Sequence, residues 1–319
     1  MTTDTTYAAQ TTVTTPVLSV APVVLPAPER AVDLHVRVSA PVTGEALPII
    51  LLSHGHGRSH HLSSLDGYAP LANFWAARGF AVIQPTHLDS ATLRLGNRDP
   101  DAPLYWRTRT KDMSHILDHL DLIEAAIPQL RGRMNHSTVA VAGHSLGGLT
   151  ASLLLGARVT DPQHGAEVTF FEHRIAAGVV LAAPGRGGDA LSKSIPPSFS
   201  FLSSIDFTQM STPALILAGD NDPSPHLTVN GPAWHADPYL LSPGPKSLIT
   251  LFGGEHGLGG ISGYDAAETT DENPQRVEAV QWLTWAYLRT HLGIQDTAWQ
   301  TAQNSFTTAN TLLGRIESK

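Results

Sequence analysis

Apolar positions along this chain fall into short runs that stop at glycine, proline or polar clusters, and stretches with helical spacing separate them. Val32-Asp33-Leu34-His35-Val36-Arg37-Val38 alternates apolar with polar residues and predicts a half-buried strand. The runs Pro48–Ser53, Phe80–Gln84, Val139–Ala142, Gly178–Ala183, Ala214–Ala218 and Ser247–Phe252 are apolar almost throughout, as strands covered on both faces are. Between them, helices are expected over Leu71–Arg78, closed by Gly79, and from Tyr105 to about Ala126. In the second, Met113, Ile116, Leu117, Leu120 and Ile123 trace one apolar face. Further helices are expected over Leu149–Ala157, from Pro274 to about His291, and over Thr297–Leu313. This alternation predicts an α/β fold, a mostly parallel sheet with helices on both faces. Residues 1–28, rich in Thr, Val and Pro, read as an extended segment, mobile over the first dozen and able to pair at a sheet edge. Residues 29–319 read as one domain.

Composition narrows the chemistry. There is no cysteine, which removes disulfides, thiolate catalysis and Cys-ligated zinc. The net charge is −8 and no basic run is present, so a nucleic-acid partner is not expected. The first ten residues lack a basic and apolar leader pattern, and no apolar run reaches the ~20 residues of a bilayer span. A soluble, cytoplasmic protein without stable membrane insertion is the expectation.

Polar and glycine clusters follow the strand ends at 53, 143, 183, 219 and 252, which is where ligands collect in parallel sheets. Gly143-His144-Ser145-Leu146-Gly147 lies between a strand-like run and a helix-forming segment, the setting of a nucleophile elbow. A serine on so sharp a turn needs Gly143 and Gly147 where a Cβ would collide. Such a serine needs a base, and the base an orienting acid. Of the 16 histidines, His256 lies just past the last apolar strand, between Gly254 and Gly257. Asp222 and Asp220 both follow the strand ending at Ala218; Asp222 is preferred, with Asp220 as its competitor or as a turn-former. An oxyanion hole would use the amide of Leu146 and, from the His54-Gly55-His56-Gly57 loop, the amide of His56. Phe199, Phe201, Leu202, Trp234 and Tyr239 are candidates for edging a cleft, with Phe199, Phe201 and Trp234 offered as substrate contacts, against their ordinary use in packing.

His54 and His56 with His60 and His61 also suggest a metal cluster, but a His-x-His-x-Asp-His pattern fails here at Arg58 and Ser59. No metal or cofactor is therefore expected.

With these residues in place, the chain resembles the α/β-hydrolases from about 30 to 292. The segments that carry the likeness are Ser53-His54-Gly55-His56-Gly57, Gly143–Gly148, Gly219-Asp220-Asn221-Asp222-Pro223 and Glu255-His256-Gly257. The His-Gly turn followed by Gly-His-Ser-x-Gly-Gly is similar to platelet-activating-factor acetylhydrolases, chlorophyllases and bacterial polyester hydrolases. It fits dienelactone hydrolases less well, since those usually use cysteine. The resemblance implies an α/β-hydrolase fold with Ser145, Asp222 and His256 as its triad and His56 and Leu146 as oxyanion donors. It further implies hydrolysis of small-molecule or polymeric carboxylic esters. Only residues 184–213 separate the strands where a cap would sit, too few for a large cap domain. A peptidase or acyltransferase would keep the same residues. A metallohydrolase and a non-catalytic binding protein are the remaining alternatives.

Overall fold

The alternating runs fold into a sheet of nine strands in the computed structural model, which describes residues 14–95, 99, 101–162, 164–309 and 312–319. In chain order the elements are β1 (Val17–Leu25), β2 (Leu34–Pro41), β3 (Leu47–Ser53), α1 (Ala69–Ala76), β4 (Ala81–Pro85), α2 (Trp106–Asp118) and α3 (Leu120–Ala126). There follow β5 (Met134–His144), α4 (Leu146–Leu154), β6 (Arg158–Thr160), β7 (Glu167–Thr169), β8 (Ile175–Leu181) and β9 (Ala214–Gly219). The chain closes with α5 (Asp237–Leu240), β10 (Lys246–Leu251), α6 (Pro274–His291), α7 (Ala298–Thr307) and β11 (Gly314–Ser318).

β4, β3, β5, β8, β9 and β10 run parallel; β2 and β1 continue antiparallel on one side and β11 closes the other. The alternation of side chains along the central strands explains the layers. Ile49 and Leu51 of β3 pack into a core with α2, α3 and α4, while Ile50 and Leu52 point into a core with α1, α6 and α7. Helices therefore cover both faces, as the apolar runs predict. The expected edge pairing of the N-terminal segment is met by β1, whereas the expected mobility of the first dozen residues lies outside the described residues.

Two expectations are corrected. The helix expected from Tyr105 to Ala126 breaks at His119, whose Nδ1–H donates to the His115 carbonyl at 2.8 Å and takes the acceptor that helix continuation would use. The last helix, expected to reach Leu313, stops at Thr307, with 310 and 311 outside the described residues; beyond it Gly314–Ser318 pairs with β10 as an edge strand. The 184–213 connection holds only short 3-10 turns, at Gly188–Ala190 and Pro197–Ser204. Among the described residues no helix is long and apolar enough to cross a membrane.

Parallel register brings the important strand ends together. Ser53 pairs with Gly143 and Gly143 with Val180, so the loop after β3 and the turn after β5 emerge side by side.

Candidate active site

Ser145 sits between the end of β5 and the start of α4 with φ 55° and ψ −122°, a conformation that costs a non-glycine residue about 1–3 kcal/mol. The fold holds it there through its N–H, which donates to the Leu181 carbonyl at 2.9 Å, and its carbonyl, which accepts from Leu149 N–H at 3.1 Å. The two glycines are needed for space. A Cβ on Gly143 would stand 1.9 Å from the Gly147 carbonyl oxygen, and one on Gly147 would stand 2.1 Å from the Ser53 carbonyl oxygen. Both obstacles are backbone and cannot turn aside. Gly147→Ala is therefore expected to lower stability by about 3 kcal/mol in urea denaturation; a loss under 1 kcal/mol would contradict this packing.

The three residues expected to act together do converge. His256 Nε2 lies 2.8 Å from Ser145 Oγ, and His256 Nδ1 lies 2.7 Å from Asp222 Oδ2. A carboxylate only accepts, so Nδ1 carries the hydrogen and Nε2 is left to accept the serine hydroxyl. Position separates the two acids. Asp222 is buried and faces His256, whereas Asp220 is exposed and accepts the Gly253 N–H at 2.6 Å, tying the two loops together. Burial alone would push the Asp222 carboxyl up; hydrogen bonds from His235 and His256 outweigh it and hold the group well below the usual carboxylate range.

The His256 loop is clamped from both sides. Asp271 Oδ2 accepts the N–H groups of Glu255 at 2.9 Å and Gly259 at 3.0 Å, and itself pairs with Arg276 at 3.0 Å. On the other side, His144 Nε2–H donates to the His256 carbonyl at 2.7 Å while its Nδ1 accepts from Tyr68 Oη at 2.8 Å. The Tyr68 oxygen in turn accepts the Gly55 N–H at 2.9 Å. Burial, with the neighbouring His256, pushes His144 down to about 3, so it stays neutral and keeps this direction of donors. One hydrogen-bonded chain thus links the loop after β3 to the loop that carries His256.

The loop after β3 is held from below by Arg109, which is fully buried. It donates to the carbonyls of His54 at 2.8 Å and Gly55 at 3.3 Å and grips both oxygens of Asp89 at 2.9 Å. Asp89 Oδ2 also accepts His56 Nδ1–H at 2.9 Å. With its carbonyls turned down to Arg109, the loop approaches Ser145 closely: a Cβ on Gly55 would be 3.4 Å from the Ser145 Cβ. The amide of His56 donates to no protein acceptor among the described residues, and that of Leu146 opens α4, where N–H groups lack intrahelical partners.

A second Ser-His-Asp chain lies beneath the first. Ser53 Oγ is 2.9 Å from His87 Nε2, and His87 Nδ1 is 2.8 Å from Asp112 Oδ2, which Arg30 also grips. These three side chains are buried, and Ser53 is an ordinary residue of β3, so nothing outside the protein can reach the hydroxyl.

The other predicted residues scatter. Phe201 is buried and stacks on Trp106 at 4.9 Å, and Trp234 is buried with its Nε1–H donated to the Arg186 carbonyl at 2.8 Å. Both are packing residues rather than cleft edges, because each ring carries more apolar area than an open rim would hide from water. Phe199 packs half-buried against the same core, and Leu202 and Tyr239 are buried too. The His54, His56, His60 and His61 group does not gather either. His54 commits both ring nitrogens, to the Gly55 carbonyl and the His87 N–H, and His60 and His61 are exposed.

Nothing in sequence spacing marks Asp89, Tyr68, Ser224 or His235, and His144 occupies the variable position of the motif. For Arg109 a signal existed: it stands four residues before Met113 on the apolar stripe of α2, where a charge is out of place. No known family profile matches the chain, and no curated protein matches it.

Proposed function

We propose that this chain is a serine carboxylesterase of the α/β-hydrolase kind. The observation that carries the reading is the hydrogen-bonded Ser145–His256–Asp222 chain on a strained strand–helix turn, beside an amide-bearing loop. In this mechanism Ser145 Oγ attacks the ester carbonyl carbon while His256 Nε2 takes the hydroxyl proton. Asp222 holds the Nδ1–H and stabilises the imidazolium that forms. The amides of Leu146 and His56 receive the negative oxygen, each such donor being worth about 10²–10³-fold in rate. His256 returns the proton to the departing alcohol, and water, deprotonated by the same nitrogen, releases the acid from Ser145. The mostly parallel sheet and the placement of these residues at neighbouring strand ends support the reading.

The test is a pair of inhibitors on p-nitrophenyl ester turnover. A fluorophosphonate is expected to abolish turnover and to leave one adduct, on Ser145, by mass spectrometry. A chelator is expected to leave the rate unchanged. Chelator-sensitive turnover with no phosphonate adduct would reject the assignment.

A further inference from the structure

Asp222 carries a second histidine that ester hydrolysis as described leaves unused. His235 lies in the 3-10 turn Gly231–Ala236, with 1% of its side chain exposed. Its Nδ1 is 2.8 Å from the Ala183 carbonyl, which can only accept, so Nδ1 carries a hydrogen. Its Nε2 is 3.1 Å from Asp222 Oδ2, the oxygen that also receives His256 Nδ1–H, and 3.2 Å from Ser224 Oγ. Ser224 has one hydroxyl hydrogen and stands 2.9 Å from Asp222 Oδ1.

The hydrogens can now be counted. With a bare Nε2, its lone pair faces Oδ2, and Ser224 can satisfy Nε2 or Oδ1 but not both. Lone pairs facing one another are costly between two side chains as little exposed as these. A hydrogen on Nε2 removes the conflict: Nε2–H donates to Oδ2 and Ser224 donates to Oδ1.

We propose that His235 donates from both ring nitrogens, to the Ala183 carbonyl and to Asp222 Oδ2, and so locks the Asp222 carboxylate in the position that orients His256. The proposal rests on the roles given above to Asp222 and His256. The titratable groups around His235 are Asp222 and His256 in direct array, with ring centroids of the two histidines 5.7 Å apart, and His144, His226 and Asp237 at longer range. Asp237 is turned to the Arg186 N–H at 2.9 Å, so Asp222 is the carboxylate that Nε2 meets. His235 is thus a positioning residue, acting on the base through the acid.

The sharpest test combines a spectrum with a separation of kcat from KM. Histidine-labelled wild-type protein, observed by ¹⁵N–¹H correlation, is expected to show hydrogen on both ring nitrogens of His235 at neutral pH. His235→Gln keeps an N–H donor and removes the charge. It is expected to keep kcat for p-nitrophenyl butyrate within about tenfold of wild type, whereas His235→Phe, which has no donor, is expected to lower kcat by about 10²-fold with KM little changed. A bare Nε2 in the wild-type spectrum, or a His235→Phe kcat equal to that of wild type, overturns the proposal. Wild-type protein that neither hydrolyses esters nor takes up a phosphonate would instead reject the esterase reading, and the spectrum then decides on His235 alone.

Discussion

Ser145→Ala is expected to lower kcat/KM on a chromogenic ester by about 10³-fold or more and to prevent the phosphonate adduct altogether. Stability should hold within about 1 kcal/mol, since the exchange removes one hydrogen bond, to His256 Nε2, and alanine fills the same space. The informative control is Ser53→Ala. Ser53 has its own histidine and aspartate at distances as short as those of Ser145, so distances alone do not tell the two chains apart. Three other properties do. Ser53 is buried, it lies within a strand, and its histidine is pushed well below the usual range by burial and by Arg109, so it is a poor proton acceptor. Ser145 stands on a strained turn at a helix start, next to His256, which has 39% of its side chain exposed. Ser53→Ala should therefore keep the adduct on Ser145 and show its effect in stability. An adduct that persists in Ser145→Ala and vanishes in Ser53→Ala would exchange the two roles.

What the sequence made legible was what short-range pattern encodes. Apolar runs and the glycine clusters after them mark the parallel strands and the ends beside which Ser145, Asp222 and His256 meet. The chain order placed Ser145, Asp222 and His256 because each adjoins such an end. The choice between Asp222 and Asp220 needed three dimensions, since it turns on which side chain faces inward after the same strand and which one ties down Gly253. β11 escaped because Arg315-Ile316-Glu317 offers a single apolar residue, and pairing with β10 decides its conformation. The aromatic residues misled for the opposite reason: rings such as Phe201 and Trp234 suit a cleft and a core alike, and burial decided for the core. Partners such as His235 and Tyr68 act at contacts distant in sequence, which no spacing records.

The largest effect on folding is expected at Arg109, whose charge offsets that of Asp89 in a site neither can leave. Burial by itself would push the Asp89 carboxyl up; Arg109 and His56 outweigh it and hold the group far below the usual carboxylate range. Arg109→Met keeps the apolar volume on α2 but strands that carboxylate, which costs about 3–5 kcal/mol in chemical denaturation at pH 7. The pH dependence has a definite sign. In the wild type the folded-state value is depressed, so the pair stabilises above the unfolded value of about 4 and loses that contribution as pH falls. In the variant, burial goes unopposed by Arg109, and the penalty appears only where Asp89 must ionise. The stability gap between the two proteins should thus be widest at pH 7 and shrink below pH of about 4. Adding Asp89→Asn should recover part of the loss at pH 7, and only part, because Arg109 also satisfies the carbonyls of His54 and Gly55. Those carbonyls fix the direction of the His56 amide, so esterase turnover should stay low in the double variant even where folding returns. A gap under 1 kcal/mol at pH 7, or one that widens in acid, would mean that Arg109 does not neutralise Asp89 as its geometry implies.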